Sequence, residues 1–340
     1  MLRRAGGGPL GSQGQTRAGA DGTMRPTMST PERIAAPARP TTLRRSVCAS
    51  RTVRSWGLAR VVLLAGLAAS PAGAQQNDAD DPARLFESTP EQFVVSNAQF
   101  VLMHELAHLV IDEKRVPILG PEESAADYIA AMMLIRPRAV PPEGSDALLQ
   151  VAINTAEGFA LAWRRRERIG AELPYWDNHS LTVQRFSTLA CLLYGSNPKR
   201  FAILVERLDM PEARARACVR EYERAAYAID WLFDTFARKE TDPPGAPIEI
   251  RFEDPPTLTS VRMRDAILRQ GFVERTFRFF NDVVALDEPA TFVMRSCRLP
   301  QAMWLPETRE LVLCYELLDA YMAMSLERSQ LERGGDEPGD

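Results

Sequence analysis

Between Phe93 and Glu113 the chain is apolar nearly all the way round a helical period, yet it carries His104, Glu105 and His108 in its middle. Phe100, Val101, Leu102, Met103, Leu106, Leu109, Val110 and Ile111 surround them, and uncompensated imidazoles are unwelcome in such company. An exposed helix that happens to hold two histidines therefore fits the pattern poorly. In a helix His104 and His108 stand one turn apart, so both rings project from one face and can hold a single ion. Glu105 sits beside them, where its carboxylate can reach a water on that ion, the arrangement that metal-assisted hydrolysis needs. The expected ion is Zn2+. With three histidines in 340 residues, a His-Glu-x-x-His match is expected by chance in well under roughly 1% of such sequences.

The third ligand has to come from elsewhere. A histidine at position 114 after a glycine at 111 would complete one known pattern, but Ile111 and Lys114 stand there. Asp112 lies a further turn past His108, about 6 Å along the axis and away from an ion held between the histidines. Glu123 and Asp127 are one turn apart at the start of a second helix, so their carboxylates share a face. Glu123 is the expected ligand, with Asp127 accepting the outer ring N–H of His104, as ligating histidines usually require. Asp127 as the ligand is the alternative, since short carboxylates also bind zinc. The bland reading is an acidic first turn that stabilises its own helix dipole.

Composition changes sharply near residue 75. Residues 1–74 hold eleven arginines against two acids and offer no sustained periodicity, so they cannot build a core. Arg51, Arg54 and Arg60 precede the apolar run from Val61 to Ala69, and Ala72-Gly73-Ala74 follows as a small-x-small cleavage pattern. Residues 1–74 are thus expected to be a leader with a secretory signal peptide over about 51–74, with Met24 and Met28 as alternative starts. The apolar run is about ten residues where a membrane span needs roughly twenty, so no stable membrane insertion is expected after cleavage, and the location is periplasmic or secreted. Without the leader's +9, the remaining 266 residues carry −13. Such a surface repels phosphate backbones, and nucleic acid is not an expected partner.

The rest reads as one largely helical domain. Residues 75–90 form a polar lead-in, residues 91–328 the domain, and residues 329–340 a disordered acidic tail. Helices are expected over 93–113, from about 121 to 135, and over 147–169, 181–194, 199–207, 211–238, 261–284 and 315–327. Ile248 to Phe252 alternates like a strand, and Thr291 to Cys297 with Glu310 to Cys314 reads as a hairpin turning at Pro306-Glu307-Thr308. Once Cys48 leaves with the leader, Cys191, Cys218, Cys297 and Cys314 remain, an even count that suits an oxidising compartment. Pairing Cys191 with Cys218 and Cys297 with Cys314 is the simplest of three possible connectivities, and no Cys-x-x-Cys spacing suggests a cysteine metal site.

His104-Glu-Leu-Ala-His108 followed by Glu123-Ser-Ala-Ala-Asp127 resembles the ligand arrangement of thermolysin-like gluzincins. Met103 to Ile129, Asp177-Asn-His-Ser-Leu-Thr-Val-Gln-Arg-Phe186 and Cys191-Leu-Leu-Tyr-Gly195 resemble, more closely, bacterial metallopeptidases grouped as domain of unknown function 4344. Ala302-Met-Trp-Leu-Pro306 and Cys314-Tyr-Glu-Leu317 extend that likeness. The resemblance implies an α+β, mostly helical, zincin-like fold with a small hairpin or sheet, and a peptide or protein substrate. A loop histidine such as His179 is ordinarily plain surface; the resemblance also implies an oxyanion donor there, with Asp177 either orienting it or capping the next helix. Arg185 is expected to pair with an acid, or else to bind a substrate carbonyl. The expected function is an exported zinc hydrolase with His104, His108 and Glu123 as ligands and Glu105 as base. Its rivals are a zinc-binding scaffold without catalysis and a hydrolase of another amide, such as cell-wall material.

Overall fold

A computed structural model describes residues 86–137, 142–239 and 241–334; the expected leader, most of the lead-in and the last residues of the tail lie outside these. The chain order is α1 (Pro90–Lys114), α2 (Glu122–Ile135), α3 (Pro142–Arg168), α4 (Thr182–Ser196), α5 (Ala202–Arg207), α6 (Glu212–Phe236), β1 (Ile248–Phe252), α7 (Leu258–Gln270), α8 (Phe272–Val283), β2 (Ala290–Arg295), β3 (Ala302–Leu305), β4 (Glu310–Cys314) and α9 (Tyr315–Gly334). The class is α+β and mostly helical.

Helix α1 is the axis of the molecule. Thr89 accepts from the N–H of Gln92 while the Gln92 side chain accepts from the Thr89 N–H, and Pro90 fills the first helical position, so the start is fixed by a reciprocal cap. By length and composition α1 could cross a membrane, but 83% of its apolar 18-residue window is buried within the fold. Its burial follows from its neighbours, for α2, α3, α7, α8, α9 and the β3–β4 pair all pack on it. Buried amides tie α1 to α3: Asn97 donates to the carbonyls of Phe93 and Asn154, and Asn154 donates to Ser96 Oγ.

The sheet has the order β1-β2-β4-β3, with β1–β2 and β2–β4 parallel and β3–β4 antiparallel. This corrects the expected hairpin. Val293 stands opposite Val312 in a parallel ladder, and parallel neighbours cannot be joined by a tight turn. The turn at 306–309 instead joins β4 to β3, a four-residue edge strand that the alternation did not reveal. The sheet's two faces are apolar to different depths. Phe292, Met294, Leu311 and Leu313 join the main core, while Val293, Val312 and Cys314 form a small cluster with Met303 and Leu305.

The helix expected over 261–284 is two helices, divided at Gly271 with φ +59°, a left-handed turn that glycine takes without strain. Helix α9 runs on to Gly334, into the stretch expected as tail. Cys191 is bonded to Cys218 and Cys297 to Cys314; both bonds point to an oxidising or extracellular location. The first joins α4 to α6 where Gly195 leaves no room for a side chain, since a Cβ there would lie 2.4 Å from the Cys218 carbonyl oxygen.

Candidate metal centre

The site forms where α1 and α2 cross, with the start of α4 and the edge strand β3 closing it. Helix α2 begins after Pro121 with Glu122 and Glu123 in its first turn, and this turn lies across the histidine face of α1. His104 and His108 direct Nε2 toward the same carboxylate oxygen, Glu123 Oε2, at 3.1 and 3.2 Å, and the two nitrogens are 3.1 Å apart. These three atoms, which could hold a metal ion, all lie within 4.8 Å of one another. His179 brings its Nε2 to 2.9 Å from the same oxygen but falls outside that mutually close set, at its edge.

Behind the ligand atoms each ring has a carboxylate on its far side. His104 Nδ1 lies 3.0 Å from Asp127 Oδ1, at ion-pair distance but outside hydrogen-bond geometry. His108 Nδ1 lies 2.8 Å from Glu122 Oε1. The Asp177 carboxylate receives the backbone N–H of His179 at 2.9 Å and sits 3.2 Å from its Nδ1, so Asp177 orients His179. It does not cap α4, which starts after Leu181. Asp127 also receives both Nε and Nη2 of Arg185, at 2.7 and 2.6 Å, so of the two expectations for Arg185 the geometry gives the ion pair.

Glu105 is 8% exposed and lines a cleft of about 570 Å³ together with His108, Glu122, Glu123, Asp177, His179 and the edge residues Ala302, Met303 and Trp304. Burial pushes its carboxyl above the ordinary value, opposed by His104, His108 and a backbone N–H from Trp304. Hydrogen bonds from His104, His108 and His179 hold Glu123 far below the usual carboxylate range. Burial would lower the His104 imidazole, but Asp127 and Glu123 outweigh it and raise it to about 9. His108 is raised in the same way by Glu123 and Glu122. Burial would raise Asp127, yet His104 and Arg185 bring it down. The centre is thus a dense alternation of positive and negative groups partly removed from water, which strengthens each interaction.

All the residues singled out in the sequence as ligands, base, oxyanion donor and their partners meet in this one place. Asp112 turns away from it and accepts from Trp304 Nε1 at 3.3 Å. Glu122, one of the acids after the histidine pair that could have supplied the third ligand, stands instead behind His108. Apart from the resembling segment 302–306, nothing in the sequence placed Trp304 beside Glu105, which depends on the packing of β3 on α1.

The family model described as "Putative metallopeptidase", domain of unknown function 4344, matches residues 69–232. That span takes in α1 to most of α6 and every site residue above except those of β3; the likeness expected for 302–317 lies outside it. No curated protein and no solved structure matches the chain.

Proposed function

We propose that this chain, which matches that family's model across residues 69–232, is an exported zinc peptidase of zincin-like fold. The family implies a metal cofactor and a metal-dependent hydrolase. The observation that carries the finer reading is the convergence of His104 Nε2, His108 Nε2 and Glu123 Oε2 within 4.8 Å, in a cleft that also holds Glu105 and His179. Two imidazoles and one carboxylate suit zinc, and three protein ligands are what a catalytic rather than a structural zinc site has.

Bound zinc would supply Lewis acidity toward a substrate carbonyl and acidity toward a water. The rest belongs to the chain. Glu105 takes the proton of the attacking water and returns it to the leaving nitrogen; the burial that raises its carboxyl moves it toward the range where a base can also act as acid. The backbone N–H of Trp304 favours the charged form of that carboxylate. His179, oriented by Asp177, donates Nε2–H to the oxyanion. Asp127 and Glu122 stand behind His104 and His108 and fix their rings.

Peptide is favoured over other amides by the cleft wall. It is an edge strand, β3, paired on one side only, and such an edge can receive an extended chain as an added strand. The two disulfides support export. The test is metal analysis of protein taken from the exported fraction, joined to digestion of a broad peptide library with and without chelator. Stoichiometric zinc is expected, with cleavage that a chelator abolishes and added zinc restores. Protein that retains no metal, or cleavage indifferent to chelator, contradicts the reading.

A further inference from the structure

We infer that Arg185 is a positioning residue that holds the centre from two sides at once, through Asp127 and through the loop that carries His179. The inference rests on the metallohydrolase reading above. Arg185 lies in the first turn of α4. Its guanidinium meets Asp127 of α2 in a two-point contact, Nε to Oδ2 at 2.7 Å and Nη2 to Oδ1 at 2.6 Å, and its carbon stands 4.3 Å from the centroid of the Phe159 ring of α3. The two charged side chains are only 16% and 14% exposed, so water screens the pair little.

The first route runs to His104. Asp127 Oδ1, the oxygen that receives Nη2, is the one 3.0 Å from His104 Nδ1. A planar fork fixes both oxygens of a carboxylate, which a point charge cannot do. Displacing the fork therefore lets the carboxylate turn and frees the ring that it faces.

The second route runs to His179. Ser180 Oγ, next to His179 and just ahead of α4, lies 3.1 Å from Ser124 Oγ of α2, and His179 Nε2 lies 2.9 Å from Glu123 of α2. Glu123 and Asp127 share one turn of α2, so the Arg185 clamp docks the start of α4 on the very turn that His179 must reach. Arg185 does not line the metal cleft. It borders a separate small cavity of about 40 Å³ with Ser124, Phe159 and Ser180, its edge taken by a carboxylate and its face by a ring, and this geometry argues against contact with substrate.

The test compares Arg185→Lys, which keeps the charge and loses the fork, with Phe159→Leu, which keeps the fork and loses its support. Zinc affinity of the full chain is measured by competition with a chromogenic chelator, the melting temperature of the metal-free form by calorimetry, and kcat and KM at saturating zinc on a peptide that the parent cleaves. Arg185→Lys should weaken zinc binding roughly 10- to 100-fold with the metal-free melting temperature near the parent's. At saturating zinc kcat should still fall, because His179 has lost its place, while KM stays put. Phe159→Leu should move the same quantities less. Unchanged zinc affinity in Arg185→Lys overturns the inference, as does a raised KM with zinc affinity and kcat kept, which would make Arg185 a substrate contact. A parent that binds zinc but cleaves no peptide sinks the peptidase reading and leaves the affinity arm to decide this one; a parent that binds no zinc sinks both.

Discussion

The two histidines proposed as ligands occupy the same helix face and have the same kind of partner, yet the two ends of the site are built differently. His104 is almost wholly buried, and Asp127 behind it is itself clamped by Arg185. His108 is more open, and Glu122 behind it stands at the cleft mouth with 49% of its side chain exposed. One end is a closed chain of interactions reaching into α3 and α4; the other is a single contact in reach of solvent. A partner held in a low dielectric transmits any disturbance, whereas a solvated one is readily replaced by water. The closed end should therefore set metal affinity and the open end should tune it.

Three substitutions sharpen or break this contrast. Glu123→Ala removes the oxygen on which both Nε2 atoms converge, so it should have the largest effect: zinc lost on dialysis, read by metal analysis. Asp127→Asn should weaken zinc binding roughly 10- to 100-fold, and because it strands the Arg185 guanidinium, the metal-free protein should also melt lower in calorimetry. If Asp127→Asn strips the metal while Glu123→Ala retains it, the two roles are exchanged. Glu122→Gln should cost only a few-fold in affinity by chelator competition, as for other half-exposed charges, without shifting the melting temperature. A Glu122 effect as large as that of Asp127 would erase the difference between the two ends.

Much of this arrangement was legible in the sequence because local chemistry wrote it. The Pro121-Glu122-Glu123 start of α2 and the one-turn spacings of His104 with His108 and of Glu123 with Asp127 are all set within a few residues; the Thr89-Pro90 start of α1, ahead of the expected one at 93, was passed over as lead-in. What was not legible depends on tertiary packing. The alternation of β2 and β4 states which side chains face the core but not whether the strands run parallel, and Ala302–Leu305 is too short to alternate recognisably. Gly271 lies inside an otherwise helical pattern, and only its left-handed φ in the fold shows that it divides the helix. Trp304 reaches Glu105, and Arg185 reaches Asp127, across elements whose meeting no spacing announces. The candidate ligands and the carboxylates behind them are near neighbours in sequence, whereas Arg185 and Trp304 are far from them.

On the proposed mechanism Glu105, though next to the candidate ligand His104 on α1, serves as the base and does not hold the metal. Glu105→Gln keeps the side chain's shape and its place in the cleft while removing the proton acceptor. Zinc content and melting temperature should stay near the parent's, and the rate on a peptide that the parent cleaves should fall by about 10²–10⁴. Zinc lost from Glu105→Gln would make Glu105 a ligand, and zinc kept with the rate unchanged would remove it from catalysis.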